Sequence, residues 1–220
     1  MAIGTPTLVG TSILSGSLTT SAAIVSGNLV VIGVSFYIQT PTSISDGTNT
    51  YTAALGLAAN SRYGSLWYCA NAQAVASGAT VTISPSGGRA MAAVMAQVSG
   101  IATTTPFDST GAGGTNPTSG ISFLPSVTTG TLSQASEIVF AIASCGQSAE
   151  PVYTESANFN NVGMAANTSG NAAYLFLSYD IVSSTAAVTY DPSFSVSSNW
   201  VACAAPFTRG NISCNGLGIW

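Results

Sequence analysis

The sequence predicts an all-β protein: an antiparallel, jelly-roll-like β-sandwich built from a duplicated four-strand unit. Three observations carry this prediction. First, a ten-residue stretch occurs twice, as S-G-A-T-V-T-I-S-P-S (Ser77–Ser86) and S-T-A-A-V-T-Y-D-P-S (Ser184–Ser193). Second, the flanking segments follow in the same order. Ser65–Ala76 lies over Ala172–Ser183 at an offset of 107 residues, and Asn28–Ser35 lies over Glu137–Ser144 at 109. Downstream, Arg89–Val98 lies over Asn199–Thr208. Third, the apolar pattern has period two or runs continuously between Gly, Pro, Ser and Asp turn signals, with no helical period. A duplicated four-strand unit suits a jelly roll, which contains two Greek keys. The expected organisation is one sandwich domain over residues 1–207. Its repeat units span about 27–100 and 136–207, a connecting excursion spans 101–135, and a docking tail spans 208–220. Each half alone would leave one sheet face bare, so the halves are expected to interlock around one core.

In chain order, Thr7–Ile24 reads as one or two strands crossing the sandwich. Leu29–Phe36 is apolar on both faces, which marks a strand covered on both sides. Pro41–Asn49 is a loop with its turn at Asp46-Gly47, and Thr50–Ala54 is a short strand. Tyr63–Asn71 is a strand rich in aromatics. Ala79–Ser84 alternates, with Val81 and Ile83 inward and Thr80 and Thr82 outward. Ala90–Val98 is Ala- and Met-rich, but its partner Trp200–Phe207 carries β-formers and Pro206, which favours a strand. Gly100–Gly130 is the least regular stretch, an ordered surface excursion pinned by Phe107, Ile121, Phe123 and Leu124. The second unit then repeats the order: Glu137–Cys145, Tyr153–Phe159, Ala173–Tyr179, Ala186–Tyr190 and Trp200–Phe207.

Composition excludes several functions. Of 220 residues only 5% are charged, against 46% hydrophobic, and the formal net charge is −4. An ordinary soluble domain carries roughly 25% charged residues. There is no Lys and no His; the cations are Arg62, Arg89 and Arg209. Three scattered arginines make no phosphate-tracking stripe, so no nucleic-acid partner is expected. Lack of His removes Ser-His-Asp and Cys-His chemistry, and lack of Lys removes Schiff bases and P-loops. The apolar run Leu29–Val34 is too short to span a bilayer. The M-A-I-G-T-P start shows no secretory signal pattern. A surface of Ser, Thr, Asn, Gly and Ala suits a protein that works in an assembly.

The candidate chemistry is sparse. Cys69, Cys145, Cys203 and Cys214 have no C-x-x-C spacing, which argues against zinc. Cys69 lies over Phe176 and Cys145 over Phe36, positions expected to be buried. Seven acids (Asp46, Asp108, Glu137, Glu150, Glu155, Asp180 and Asp191) are scattered, so no catalytic set is assigned, although two carboxylates suffice for glycoside hydrolysis. Asp46, Asn49 or Asp108 could supply hard oxygen ligands to Ca²⁺, but no calcium loop is present. No catalytic, cofactor or metal residue is therefore predicted. Trp67, Tyr68, Tyr174, Phe176 and Tyr179 form either core or a sugar-binding platform. The tail ends on Leu217, Ile219 and Trp220, and burying each contributes roughly 1.5–3 kcal/mol. Cys214, Leu217, Ile219 and Trp220 are the expected partner-binding residues. Two readings stay open: the tail docks on an adjacent subunit with Cys214 locking the contact, or it packs on its own sandwich in a Cys203–Cys214 disulfide.

Several motifs together resemble a family of β-sandwich proteins of tailed bacteriophages and prophages. They are G-N-L-V-V-I-G-V (Gly27–Val34), D-G-T-N-T-Y-T (Asp46–Thr52), S-G-A-T-V-T-I (Ser77–Ile83), M-A-Q-V-S-G-I (Met95–Ile101) and S-E-I-V-F-A (Ser136–Ala141). The resemblance covers about residues 27–207 and includes no catalytic residues. It implies a decoration, cement or fibre-associated module of a virion, assembled in the host cytoplasm. The implied partners are capsid or tail subunits and further copies in an oligomer or array, without membrane contact. The tail from Thr208 and the four cysteines depart from the pattern. The alternative is a carbohydrate-binding adhesion module contacting host-surface glycans, with a hydrolase behind it.

Overall fold

Val30, Ile32, Val34 and Phe36 point to one side of their strand while Leu29 and Val31 point to the other, and all six are buried. A strand of this kind needs apolar layers on both faces, and the fold supplies them. The computed structural model describes residues 2–13, 16–85, 90–146, 150–168 and 171–210. Among these residues there is no helix. The first half contains β1 (Thr7–Ser12), β2 (Ser17–Thr19), β3 (Leu29–Tyr37), β4 (Ser43–Ser45), β5 (Thr52–Ala59), β6 (Arg62–Cys69), β7 (Thr80–Ser84) and β8 (Met91–Val98). The second contains β9 (Thr118–Ser122), β10 (Val127–Thr128), β11 (Glu137–Gly146), β12 (Tyr153–Thr154), β13 (Asn160–Asn167), β14 (Ala173–Val182), β15 (Thr189–Tyr190), β16 (Ser193–Phe194) and β17 (Ser198–Thr208).

The strands form four layers. A five-stranded sheet, β1-β8-β3-β6-β5, is backed by the small sheet β2-β7-β4. A second five-stranded sheet, β13-β14-β11-β17-β9, is backed by the ribbons β10-β15 and β12-β16. The two large sheets pack on each other. The middle core between them joins Leu29, Val31, Leu66 and Val94 to Ile138, Phe140, Leu175, Val201 and Phe207. Each half also has an outer core. In the first, Val30, Ile32 and Phe36 meet Leu18, Ile44, Val81 and Ile83. In the second, Val139, Cys145, Tyr174 and Phe176 meet Val127, Tyr190 and Phe194. The protein is thus an all-β, antiparallel sandwich, but three cores replace the expected single one. The halves meet face to face and exchange no strand, because each brings its own backing layer.

Counted along each half, the two large sheets share one strand order: first, last, third, sixth, fifth. Both fifth-place strands carry a bulge at the same point, between Ala53 and Leu55 in β5 and between Asn161 and Gly163 in β13. Register corrects one alignment. Cys69 stands opposite Val30, and the residue opposite the corresponding Val139 is Asp180, not Phe176. The four-residue discrepancy is absorbed in the next connection, where a gapless offset hides it. Cys145 does occupy the place of Phe36: each stands at the matching end of its central strand, opposite Tyr174 and Tyr63 respectively.

Other expectations change as well. Residues 101–135 are more than a connection, since β9 extends the second large sheet beside β17 and β10 pairs with β15. Phe107 pins this stretch, packing near Tyr68 and Phe207 with ring centroids 5.9 and 5.8 Å away. Ile121, Phe123 and Leu124 do not; they are exposed. The expected strand Tyr153–Phe159 shrinks to β12. Its structural role falls to β13, whose N-N-V-G-M-A-A-N reads polar because one of its faces is open.

The halves touch through equivalent residues. Ser35 and Ser144, 109 positions apart, share a buried hydrogen bond of 2.6 Å between their hydroxyls. A Cβ on Gly33 would sit 2.9 Å from the Cγ2 of Ile142, its own counterpart. Such self-pairing resembles the isologous contact of a two-fold dimer. Arg62 is a further strut. It is buried, donates to the Ala172 carbonyl of the other half, and crosses Gly146 where a Cβ would overlap it. Its guanidinium also lies 5.1 Å from the Tyr37 ring centroid, within cation–π range.

Candidate interaction surface

Exposed apolar residues concentrate at one end of the second half. Five of the eleven large hydrophobic residues exposed among the described residues are Ile121, Phe123, Leu124, Val152 and Val196. Backbone pairing brings their segments together. Phe194 N donates to Phe123 O at 2.8 Å, and Ser195 N donates to Val152 O at 2.9 Å. Ile121 pairs with Asn199, and Ser122 with Ser198. The platform beneath is rigid. The Trp200 indole lies across Gly120, where a Cβ would meet its ring at 2.7 Å, and its Nε1 donates to Ser122 Oγ at 3.0 Å. A neighbouring hollow of about 450 Å³ is lined by Pro151, Val152, Tyr153, Met164 and Phe176. Glu150 is the one charged residue among those lining this hollow. Isolated exposed apolar residues are ordinary, whereas a contiguous patch marks a contact site.

A concavity of about 900 Å³ is at the other end of β17. Ser26–Asn28, Ser99–Thr105, Gln134 and Thr208–Gly210 line it. This lining is mostly Ser, Thr, Gly, Asn and Gln, with Arg209 at its edge. The described chain stops here, with Gly210 N donating to Gly100 O at 2.9 Å.

The predicted partner residues Cys214, Leu217, Ile219 and Trp220 lie outside the described residues. Cys203 is described and is a free, fully buried thiol. Its Sγ donates to Gly64 O at 3.7 Å, and burial pushes its pKa up. Cys145 is equally buried and its pKa is pushed up to about 12, burial outweighing Ser198 and Arg62. Cys69 is buried against Asn49. These three thiols fill space as small apolar groups, and burial disfavours their reactive thiolates. The proposed glycan platform is dispersed as well. Trp67, Tyr174 and Phe176 are buried, and Tyr68 and Tyr179 pack against the middle core.

The acids divide into structural clusters. Asp46 accepts from Thr48 N, the Asn49 amide and Tyr51 OH, closing its own turn. Burial opposes its charge, yet hydrogen bonds from Asn49, Thr48 and Tyr51 hold its pKa below the usual value. Glu155 accepts from Tyr153 OH at 2.6 Å and Ser178 Oγ at 2.6 Å, and Tyr153 OH meets Tyr190 OH at 2.8 Å. Asp180 is half-buried, which pushes its pKa up.

Asp108 and Glu137 form a pair that sequence spacing did not indicate. Both are buried, and Ser133 joins them: its N donates to Asp108 at 2.8 Å and its Oγ to Glu137 at 3.1 Å. Burial pushes the Glu137 carboxyl up and Asp108 adds to this, against hydrogen bonds from Gln134 and Ser133. The pair is buried within its own loop. Among the described residues no three His, Cys, Asp or Glu side chains gather as a metal would require. Asp46 and Asp108 serve different halves. Compared with known protein families, curated proteins and solved structures, the chain matches none.

Proposed function

We propose that the protein is a structural subunit of a tailed-phage virion, decorating or cementing the capsid or forming part of the tail or collar. The observation that carries this reading is the apolar patch at Ile121, Phe123, Leu124, Val152 and Val196 on a chain with almost no charge. An apolar patch on a weakly charged surface favours being covered by another protein over staying in free solution. The fold suits such a part. In the finer reading each half is its own jelly roll, of eight strands in the first and nine in the second, supported by the shared strand order, and the two are fused back to back into a stiff block. The acids and thiols close turns and fill cores, so the chemistry of these residues is that of construction. The sequence motifs similar to phage β-sandwich proteins point the same way. Mass spectrometry of purified particles, made by cells carrying the gene, tests this. The protein is expected as a stoichiometric particle component that resists high-salt washing. Its absence from particles, while present in the lysate, overturns the reading.

A further inference from the structure

We propose that the Phe123 patch is the receptor for the C-terminal segment of a second copy, so that the protein self-associates head to tail. This rests on the reading of the protein as an assembly subunit and names one of its contacts. The patch adjoins the start of β17, where Ser198 and Asn199 pair with Ser122 and Ile121. The described chain ends beyond the other end of the same strand, at Gly210. Eleven strand residues separate the two sites, or roughly 33 Å at about 3.3 Å per residue.

Reach then decides which copy is joined. From Gly210, Leu217 lies within about 25 Å even at full extension. It cannot touch the patch of its own chain. Trp220 could do so only at nearly full extension of the intervening chain. A neighbouring copy has no such limit. The groove beside Gly210 is within reach, but Ile101, itself buried, is the one large apolar side chain among its Ser, Thr, Gly, Ala102 and Arg209 lining. The patch offers Phe123, Leu124, Val152 and Val196, exposed by 53, 56, 71 and 46%. A contact between two different surfaces is heterologous, and repetition gives a ring or an open filament.

The test compares the full chain with a chain ending at Gly210, which retains every residue of the three cores. Sedimentation velocity over a concentration series should show the full chain associating and the shortened chain monomeric. A labelled peptide of residues 209–220 should bind the shortened chain. Phe123→Asp with Leu124→Asp should weaken peptide binding at least tenfold, as should Val152→Asp separately. All three positions are exposed, so an unchanged β-sheet circular dichroism spectrum is expected. A full chain that stays monomeric overturns the proposal. So does association that survives truncation, or peptide binding that the substituted patches retain. Particle mass spectrometry is unaffected by any of these results, so the assembly reading and the tail contact fail separately.

Discussion

Single buried groups decide how the halves fit. Ser35 and Ser144 satisfy each other at 2.6 Å, with Ser144 also near Tyr63 O. Replacing Ser144 by Ala strands Ser35, which costs about 1–3 kcal/mol, whereas Ser35→Ala leaves Ser144 its longer contact to Tyr63 O. Replacing both removes the unmet need, so the double variant should be less damaged than the two single losses together. Urea denaturation of the four-member cycle reads this coupling; strict additivity would show that the pair does not join the halves. Glu137 gives a pH signature. In the unfolded chain it ionises near 4.5. In the fold its raised pKa keeps the proton to higher pH. Its contribution to stability is therefore fully present below 4.5 and declines as pH rises through that window to the folded value. Glu137→Gln should flatten this decline and be at least as stable as the parent at neutral pH. Thermal melts across the window would contradict the account if the variant's slope equals the parent's; Asp180, also raised, keeps a part of the slope in both.

At the scale of elements, pairs of opposite faces carry the packing. Val81 and Ile83 of β7 are buried while Thr80 and Thr82 are exposed. Ile83→Ala should cost about 2–5 kcal/mol, and Thr82→Ala little, as read from denaturation midpoints; equal costs would mean that β7 is not a backing strand. This alternation was legible in the sequence, as were β3, β6, β8, β11, β14 and β17, whose apolar runs need cover on both sides. The strands that were missed had weaker signals. β13 presents Asn160, Asn161 and Gly163, and β9 presents Thr118, Ser119 and Gly120. Both are edge strands with little to bury, so composition disguises them as loop. The turn between β5 and β6 uses Asn60 and Ser61, both with positive φ, a geometry suited to a two-residue hairpin. Of the candidate surface, Ile121, Phe123 and Leu124 stand out in the sequence, but as pins that hold the excursion down. An apolar residue reads the same in a core and in a contact patch, and only β9 pairing with β17 shows which face they take. The Asp108–Glu137 pair was invisible because Ser133 and a loop, not sequence spacing, bring the two together.

At the scale of the whole molecule, the middle core makes two sandwiches into one block. Isolated residues 1–98 would expose Leu29, Val31, Leu66, Ala92, Val94 and Ala96. That half should self-associate or stay poorly folded; a stable monomer in sedimentation and amide spectra would mean that the middle core is dispensable. The most direct measurement uses two natural probes, Trp67 in the first outer core and Trp200 in the second. Two single-tryptophan proteins isolate them: Trp200→Phe with Trp220→Phe, and Trp67→Phe with Trp220→Phe. Each is unfolded in urea with fluorescence and β-sheet circular dichroism recorded together. If the halves form one cooperative block, the fluorescence transition overlays the circular dichroism transition in both proteins. A protein in which one tryptophan reports its transition while much of the β-sheet signal remains would contradict the account.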